Sequence, residues 1–363
     1  MKKMRKAGLG LSLAVAASLA LTSCGEAPDE TTSSDSGETT SDFLPCIVSD
    51  AGGFDDKSFN QLSYEGVQQA ADELGADFKA VESNSESDYA PNMESLVAEG
   101  CDVIVSVGFA LSAATVESAT ANPDLPYVLI DDQADNDFDG TKDADNIKPL
   151  LYDTAQAAFL AGYAAADFSK TGTVGTYGGA EYPTVTIFMD GYYQGVQYYN
   201  EQKGADVQVV GWDGSTGSFT GGFSANQKAT NTAQQILDQG ADVILPVGGP
   251  IYQGALTAIA DSGSDAVMIG TDADLYESDP NSQDVVFTSI LKNMKLSTYE
   301  AVMSVADEDF DAEAYVGTLD NDGVGIASFH DYEGEVSDSL QGELDDITAG
   351  IIDGSIPVTS YLN

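Results

Sequence analysis

The sequence predicts an α/β fold of two doubly wound parallel-sheet lobes facing one another across a cleft. Three observations lead there: after Asp42 short apolar runs alternate with longer segments of helical period, one nine-residue motif occurs twice, and glycine-bearing loops follow strands in both halves. Cys46 to Ser49 reads as a strand. Ser58 to Leu74 puts Phe59, Leu62, Gly66, Val67, Ala70 and Leu74 on one helical face, and Gly75 ends it. Phe78–Val81, Val103–Val107 and Tyr127–Ile130 read as strands, separated by helices near Asn92–Glu99 and Leu111–Ala121. The alternation resumes with the strand Thr173–Thr176, a helix through Val185–Tyr199, the strand Val207–Trp212 and a helix through Ala229–Leu237. It continues with the strand Val243–Leu245, a helix through Ala255–Ala260 and the strand Val267–Ile269. Such a pattern gives parallel sheets covered by helices on both faces.

The repeated motif relates the halves. Gly100-Cys101-Asp102-Val103-Ile104-Val105-Ser106-Val107-Gly108 and Gly240-Ala241-Asp242-Val243-Ile244-Leu245-Pro246-Val247-Gly248 agree at six of nine positions, each ending a strand in glycine. Asp50-Ala51-Gly52-Gly53 and Thr176-Tyr177-Gly178-Gly179 follow the first strand of their respective halves. Open α/β sheets bind ligands beyond the carboxyl ends of their strands, so these loops are expected to line the cleft.

Composition narrows the ligand. Of 363 residues 13 are Lys or Arg and 60 are Asp or Glu, and four of the basic residues lie in Met1 to Ser23. That stretch has a charged start (Lys2, Lys3, Arg5, Lys6) and an apolar run from Ala7 to Leu21, the pattern of a secretory signal. The remaining chain holds nine lysines, no arginine and all 60 acids, a formal charge of −51. It cannot build the basic stripe that nucleic acid requires, and the same field argues against phosphorylated ligands. Leu21-Thr22-Ser23-Cys24 resembles a bacterial lipobox, which makes Cys24 the expected lipid-attachment site; the alternative is an ordinary cleaved signal with an incidental cysteine. Residues 24–42, rich in Ser, Thr, Glu, Asp and Gly, are expected to form a flexible acidic tether. Cys46 and Cys101 open neighbouring strands, which permits either a disulfide in an extracytoplasmic setting or two buried thiols.

Enzymatic readings find little support. The single histidine, His330, stands beside Asp331, and neither a G-x-S-x-G elbow nor an H-E-x-x-H helix is present. Gly52-Gly53 is followed by Asp55 and Asp56 rather than the lysine of a phosphate loop. Asp135 to Gly140, with Asp143 at the ninth position, starts like a calcium loop but has Asn146 where a bidentate Glu belongs, so a solvated acidic loop is the expected reading. No metal and no cofactor is expected. Asp50, Asp131 and Asp272 each follow an apolar strand, with Phe59, Phe109, Phe223 and Trp212 near such ends. Carboxylates accept from hydroxyl and amine donors and aromatic faces stack on planar rings, so together they describe a site for a neutral, ring-bearing, hydroxyl-rich molecule. Taken singly, each Asp also reads as a helix cap and each Phe as a core residue.

At these residues the chain resembles the basic membrane protein family of substrate-binding lipoproteins, which serve ABC transporters and include purine nucleoside receptors. The resemblance runs from about Cys46 to Ala327. It rests on Asp50 to Asn60 (DAGGFDDKSFN), Gly108-Phe109, Phe159 to Tyr163, Gly240 to Ile244, Ile269 to Asp274 and Leu319 to Gly325. It implies a type I periplasmic-binding-protein fold with a three-crossover hinge, the crossings falling near Tyr152–Asp153, Asp272–Asp274 and Leu291–Lys292. The first lobe is then expected over 43–152 with part of 273–292 returning to it, and the second over 153–272 with part of 293–363. The resemblance further implies a purine stacked between Phe59 and Phe223, Asp131 on the base edge, Asp50 and Asn60 lining the first lobe, Gly248 and Asp272 at the ribose, and Lys292 closing the site. Ser224 to Lys228 departs from the Asp-Pro pair usual after the second phenylalanine, which leaves Phe219 and Tyr182 as competitors for that ring. The implied partners are a purine nucleoside, an ABC permease and the outer face of the cytoplasmic membrane. A sugar receptor of the same fold and a calcium- or partner-binding surface protein are the rival readings.

Overall fold

The computed structural model describes residues 41–362. The signal at 1–23, Cys24 and nearly all of the tether at 24–42 lie outside the described residues. The first half runs β1 (Pro45–Val48), α1 (Phe59–Leu74), β2 (Lys79–Val81), α2 (Tyr89–Glu99), β3 (Val103–Val107), α3 (Ser112–Ala121), β4 (Tyr127–Ile130) and β5 (Ile147–Tyr152). Then α4 (Thr154–Phe168) leads into β6 (Thr173–Gly178), α5 (Pro183–Lys203), β7 (Gln208–Val210), α6 (Gln227–Asp238), β8 (Val243–Val247), α7 (Tyr252–Ser262), β9 (Val267–Asp272), α8 (Leu275–Ser278) and β10 (Val286–Lys292). The chain finishes with α9 (Met294–Ala306), β11 (Tyr315–Gly317), β12 (Val324–Ile326) and α10 (Leu340–Ile352).

Two six-stranded sheets result, ordered β2-β1-β3-β4-β5-β11 and β7-β6-β8-β9-β10-β12. The orders match position for position, so β1 corresponds to β6, β3 to β8, β4 to β9 and β5 to β10. The repeated motif occupies the corresponding strands β3 and β8 and ends at Gly108 and Gly248. The central strands are apolar and buried on both faces, as parallel sheets covered by helices require.

Three segments cross between lobes, at places that partly differ from expectation. The first lies at Tyr152–Thr154, where β5 leaves the first sheet and α4 enters the second lobe. There α4 packs against α5 so closely that a Cβ at Gly195 would lie 2.0 Å from the carbonyl oxygen of Phe159. The expected crossing at Asp272–Asp274 does not occur. Instead β9 turns through α8 into β10, which pairs with it in parallel through Thr271 and Asp272, so residues 286–292 stay in the second sheet. The second crossing follows Lys292. It delivers α9 to the first lobe, where a Cβ at Gly66 of α1 would meet the Lys295 carbonyl at 2.5 Å and Tyr299 donates to Glu73. The third joins β11, parallel to β5, to β12, antiparallel to β10. Finally α10 packs within the second lobe, with Glu343 accepting from Tyr163 of α4 and pairing with Lys203 of α5.

Cys46 and Cys101 are joined in a disulfide, possible because β1 and β3 are hydrogen-bonded neighbours and both cysteines stand at their amino ends. Closing a loop of this size restricts the unfolded chain. Replacing both cysteines by serine is expected to lower the unfolding free energy by roughly 2–4 kcal/mol, read by denaturant titration of oxidised and variant protein; equal midpoints would refute the contribution.

A candidate ligand site between the lobes

The carboxyl ends of corresponding strands converge on a cavity of about 350 Å³ between the lobes. At its deep end β10 finishes in Lys292, whose side chain is 3% exposed. Its ammonium donates to Asp131, the residue after β4 in the opposite lobe, and lies 3.5 Å from Asp272 Oδ1 at the end of β9. Three rings surround it, Phe59 at 5.2 Å, Tyr152 at 5.5 Å and Phe188 at 5.1 Å, presenting their faces to the buried cation. Asp131 and Asp272 occupy equivalent strand ends and share a left-handed backbone, φ 62° and 67°. That turn aims both carboxylates back at the same lysine.

One cation between two carboxylates leaves one of them uncompensated. Burial would lower the Lys292 pKa, but the Asp131 and Asp272 charges outweigh it and hold the ammonium protonated. Burial pushes Asp131 up against the opposing pull of Lys292. It pushes Asp272, the more distant partner, up to about 6. Asp272 Oδ2 accepts from Ser58 Oγ at 3.2 Å across the cleft, and the same hydroxyl donates to the Thr271 carbonyl at 2.8 Å. Asp272 Oδ1 is buried and accepts no hydrogen bond among the described residues.

The other end of the cavity is built by the DAGGFDDKSFN segment. Asp56 caps α1 in place of the residue beside the helix, accepting from the backbone of Ser58, Asn60 and Gln61 at 2.9, 2.8 and 3.1 Å. The Asn60 amide is fully used: Nδ2 donates to Asp50 Oδ1 at 2.9 Å and to Asp56 Oδ2 at 3.0 Å, and Oδ1 accepts from Asp50 N at 3.3 Å. Asp50 Oδ1 also accepts from Gly52 N at 2.8 Å, which leaves Oδ2 facing Gly108. Burial raises the Asp50 pKa.

Each lobe supplies a ring seated on a strand-end glycine. A Cβ at Gly108 (φ 102°) would stand 3.3 Å from Phe59, and one at Gly248 (φ 141°) only 2.8 Å from Phe223. At the mouth Phe109 of the first lobe meets Tyr182 of the second with ring centroids 4.4 Å apart, so the cleft is closed.

A sequence model of the family described as ABC transporter substrate-binding protein PnrA-like matches residues 44–360. The chain belongs to this Bmp family. An ABC transporter nucleoside-binding protein BmpA from Lactococcus lactis is 29% identical over 378 residues, covering 98% of this chain and 100% of that one. An uncharacterized lipoprotein of Pyrococcus abyssi is 29% identical over 315 residues, covering 82% of this chain and 74% of that protein. Among solved structures, an ABC transporter solute-binding protein from Aeropyrum pernix superposes with a TM-score of 0.77 at 26% identity, over 88% of this chain and 94% of that one. The architecture is the type I fold of such binding proteins.

Within this Bmp-family cleft, Asp50, Phe59, Asn60, Phe109, Asp131, Phe223, Gly248, Asp272 and Lys292 all line the one cavity. Tyr182 lines it too, whereas Phe219 packs beneath Gly178 and against Trp212. Trp212 is a correction: β7 ends at Val210, and the indole turns away from the cleft to donate to Asp190 of α5 at 2.8 Å. Phe188, Tyr89 and Asp56 line the cavity as well, and Tyr152 backs Lys292 from within the core; an aromatic within a helix or strand reads as core in the sequence and a buried Asp as a turn. Outside the cavity, His330 stacks on Tyr276 at 4.1 Å and contacts Asp274. On an exposed loop the oxygens of Asp135, Asp137 and Asp143 come within 4.8 Å of one another, and they accept backbone N–H groups of that same loop.

Asp272 gives the fold a signature in acid. Between the ordinary carboxylate range and about pH 6 it is protonated when folded and ionised when unfolded. Its contribution is therefore fully present below about pH 4 and lost as pH rises through 6, on the order of 2–3 kcal/mol. Asp272→Asn should gain stability over wild type as pH rises from 4 to 8, measured by unfolding at each pH; a difference independent of pH would disprove the buried, uncompensated carboxylate.

Proposed function

We propose that this protein captures a neutral purine nucleoside in the interlobe cavity and hands it to the permease of an ABC importer, anchored to the outer face of the cytoplasmic membrane through Cys24. The observation that carries the reading is the cluster at the deep end. One ammonium flanked by two carboxylates, the second of them held only at 3.5 Å, complements a pair of vicinal hydroxyls. Each hydroxyl donates to a carboxylate and accepts from Lys292. A ribose fits that chemistry, and the nucleoside-binding relative and the lipoprotein relative support the ligand class and the anchor.

One role is proposed differently from the resemblance. Asp131 is engaged with Lys292, so we assign it to the sugar with Asp272. The base edge falls to Asp50, whose Oδ2 is held in place by Asn60 and Gly52 acting on Oδ1. Phe59 and Phe223 sandwich the base, and Gly248 keeps the second ring close to the strand end. Five acids line the cavity (Asp50, Asp56, Glu86, Asp131 and Asp272) against the single Lys292, a field that favours donor-rich neutral ligands.

Mass spectrometry of the supernatant from denatured protein is expected to find a purine nucleoside; a pentose or hexose alone would favour a sugar receptor. In calorimetric titration Phe59→Ala should weaken adenosine binding by about 1–3 kcal/mol, the loss of one stacking face, and an unchanged affinity would remove Phe59 from the site. Adenosine should bind at least tenfold, about 1.4 kcal/mol, more tightly than its monophosphate. Equal affinities would contradict the neutral-ligand argument.

A further inference from the structure

The chain makes one more passage between the lobes, after its last helix. Past α10 the backbone turns at Gly354, and Ile356 N donates to the Gly350 carbonyl at 2.8 Å while its side chain fills the space a Cβ at Gly350 would take. Thr359 is then clamped by one side chain of the second lobe. Gln194 of α5 donates to its carbonyl at 2.9 Å and accepts from its N–H at 2.9 Å. Three residues later the surroundings have changed lobe. Leu362 lines a depression walled by Pro149 and Leu151 of β5 and Val316 of β11, all of the first sheet. Three residues span at most about 10 Å, so the segment bridges the lobes where they lie closest.

We propose that residues 355–362 form a strap over the hinge, fixed to the second lobe at Ile356 and Thr359 and resting on the first at Leu362, so that the cleft opens only when the strap slides or lifts. The three covalent crossings are short and can act as pivots, and a pivot does not by itself oppose rotation. A tail clamped on one lobe and packed on the other does. The inference concerns the ligand-free opening equilibrium and holds whatever the cavity binds.

Hydrogen exchange by mass spectrometry on the full ligand-free chain tests it, comparing wild type with a chain ending at Gly354. Segments that line the cleft (50–61, 179–188 and 247–250) should exchange about tenfold faster without the strap, while β6 and α6, remote from it, should be unchanged. Unaltered exchange in the cleft segments of a folded truncated chain overturns the proposal. Faster exchange throughout would mean the tail stabilises the fold as a whole, and also overturns it. Should the truncated chain fail to fold, Gln194→Ala and Leu362→Ser release one end of the strap each; faster cleft exchange in both supports the strap, and no change in either refutes it.

Discussion

Lys292 joins the two lobes electrostatically, and much of the cleft is arranged around the demands of burying its charge. An ammonium removed from water needs an anion and acceptor partners, and the protein supplies Asp131 from the far lobe, Asp272 from the near one and three ring faces. Closure therefore adds Asp131 of the first lobe to the Lys292–Asp272 pair that the second lobe already holds. The cost is the second carboxylate, Asp272, which has to share that one ammonium at 3.5 Å. A ligand that brings hydroxyl donors to Asp272 relieves it, and so has its largest effect in the closed arrangement. This is how binding energy can be directed to closure rather than to either lobe separately.

The rest of the site divides into groups that touch the cavity and groups that aim them. Asp56 spends its oxygens on the start of α1, and Asn60 spends its amide on Asp50 and Asp56, so the first lobe presents one carboxylate oxygen and one ring in fixed positions. In the second lobe Gly248 lets Phe223 lie against the strand end. Rigid lobes carrying such groups are compatible with hinge motion because the adjustable parts are confined to the crossings.

Much of this was legible in the sequence because it lies at strand ends, where a continuous apolar run stops at a charged residue or a glycine. Asp50, Asp131, Asp272, Gly108 and Gly248 were all marked by that transition, and the helix from Ser58 to Leu74 by its apolar face and Gly75. What escaped has physical reasons. The strand β5 carries Lys148 and Pro149, which break its apolar run, and α4 is buried all round, so it has no polar face to give a helical period. The crossings depend on which sheet a strand joins. Nothing in residues 286–292 distinguishes pairing with β9 from a return to the first lobe, and the short β11 and β12 pair across sequence distances that no local pattern encodes. Trp212 differs for a related reason: it lies beyond the end of β7, and the direction of its side chain depends on Asp190 in another element.

The correspondence of β5 with β10 has a consequence for descent. Tyr152 and Lys292 end those strands, so they are the same position in the two halves, yet they touch, the ammonium lying 5.5 Å from the ring centre. Asp131 and Asp272, also counterparts, meet at that same lysine. Residues that contact their own counterparts lie on the internal pseudo-twofold axis, which here runs through the deep end of the cleft. Had a single ancestral half been duplicated with lysine at this position, two ammonium groups would have faced each other across the axis, repelling in a medium that screens poorly. Two tyrosines would have left both aspartates without a cation. The two halves therefore differ in charge at the position where Tyr152 meets Lys292, and that difference is what gives the paired carboxylates a single shared cation.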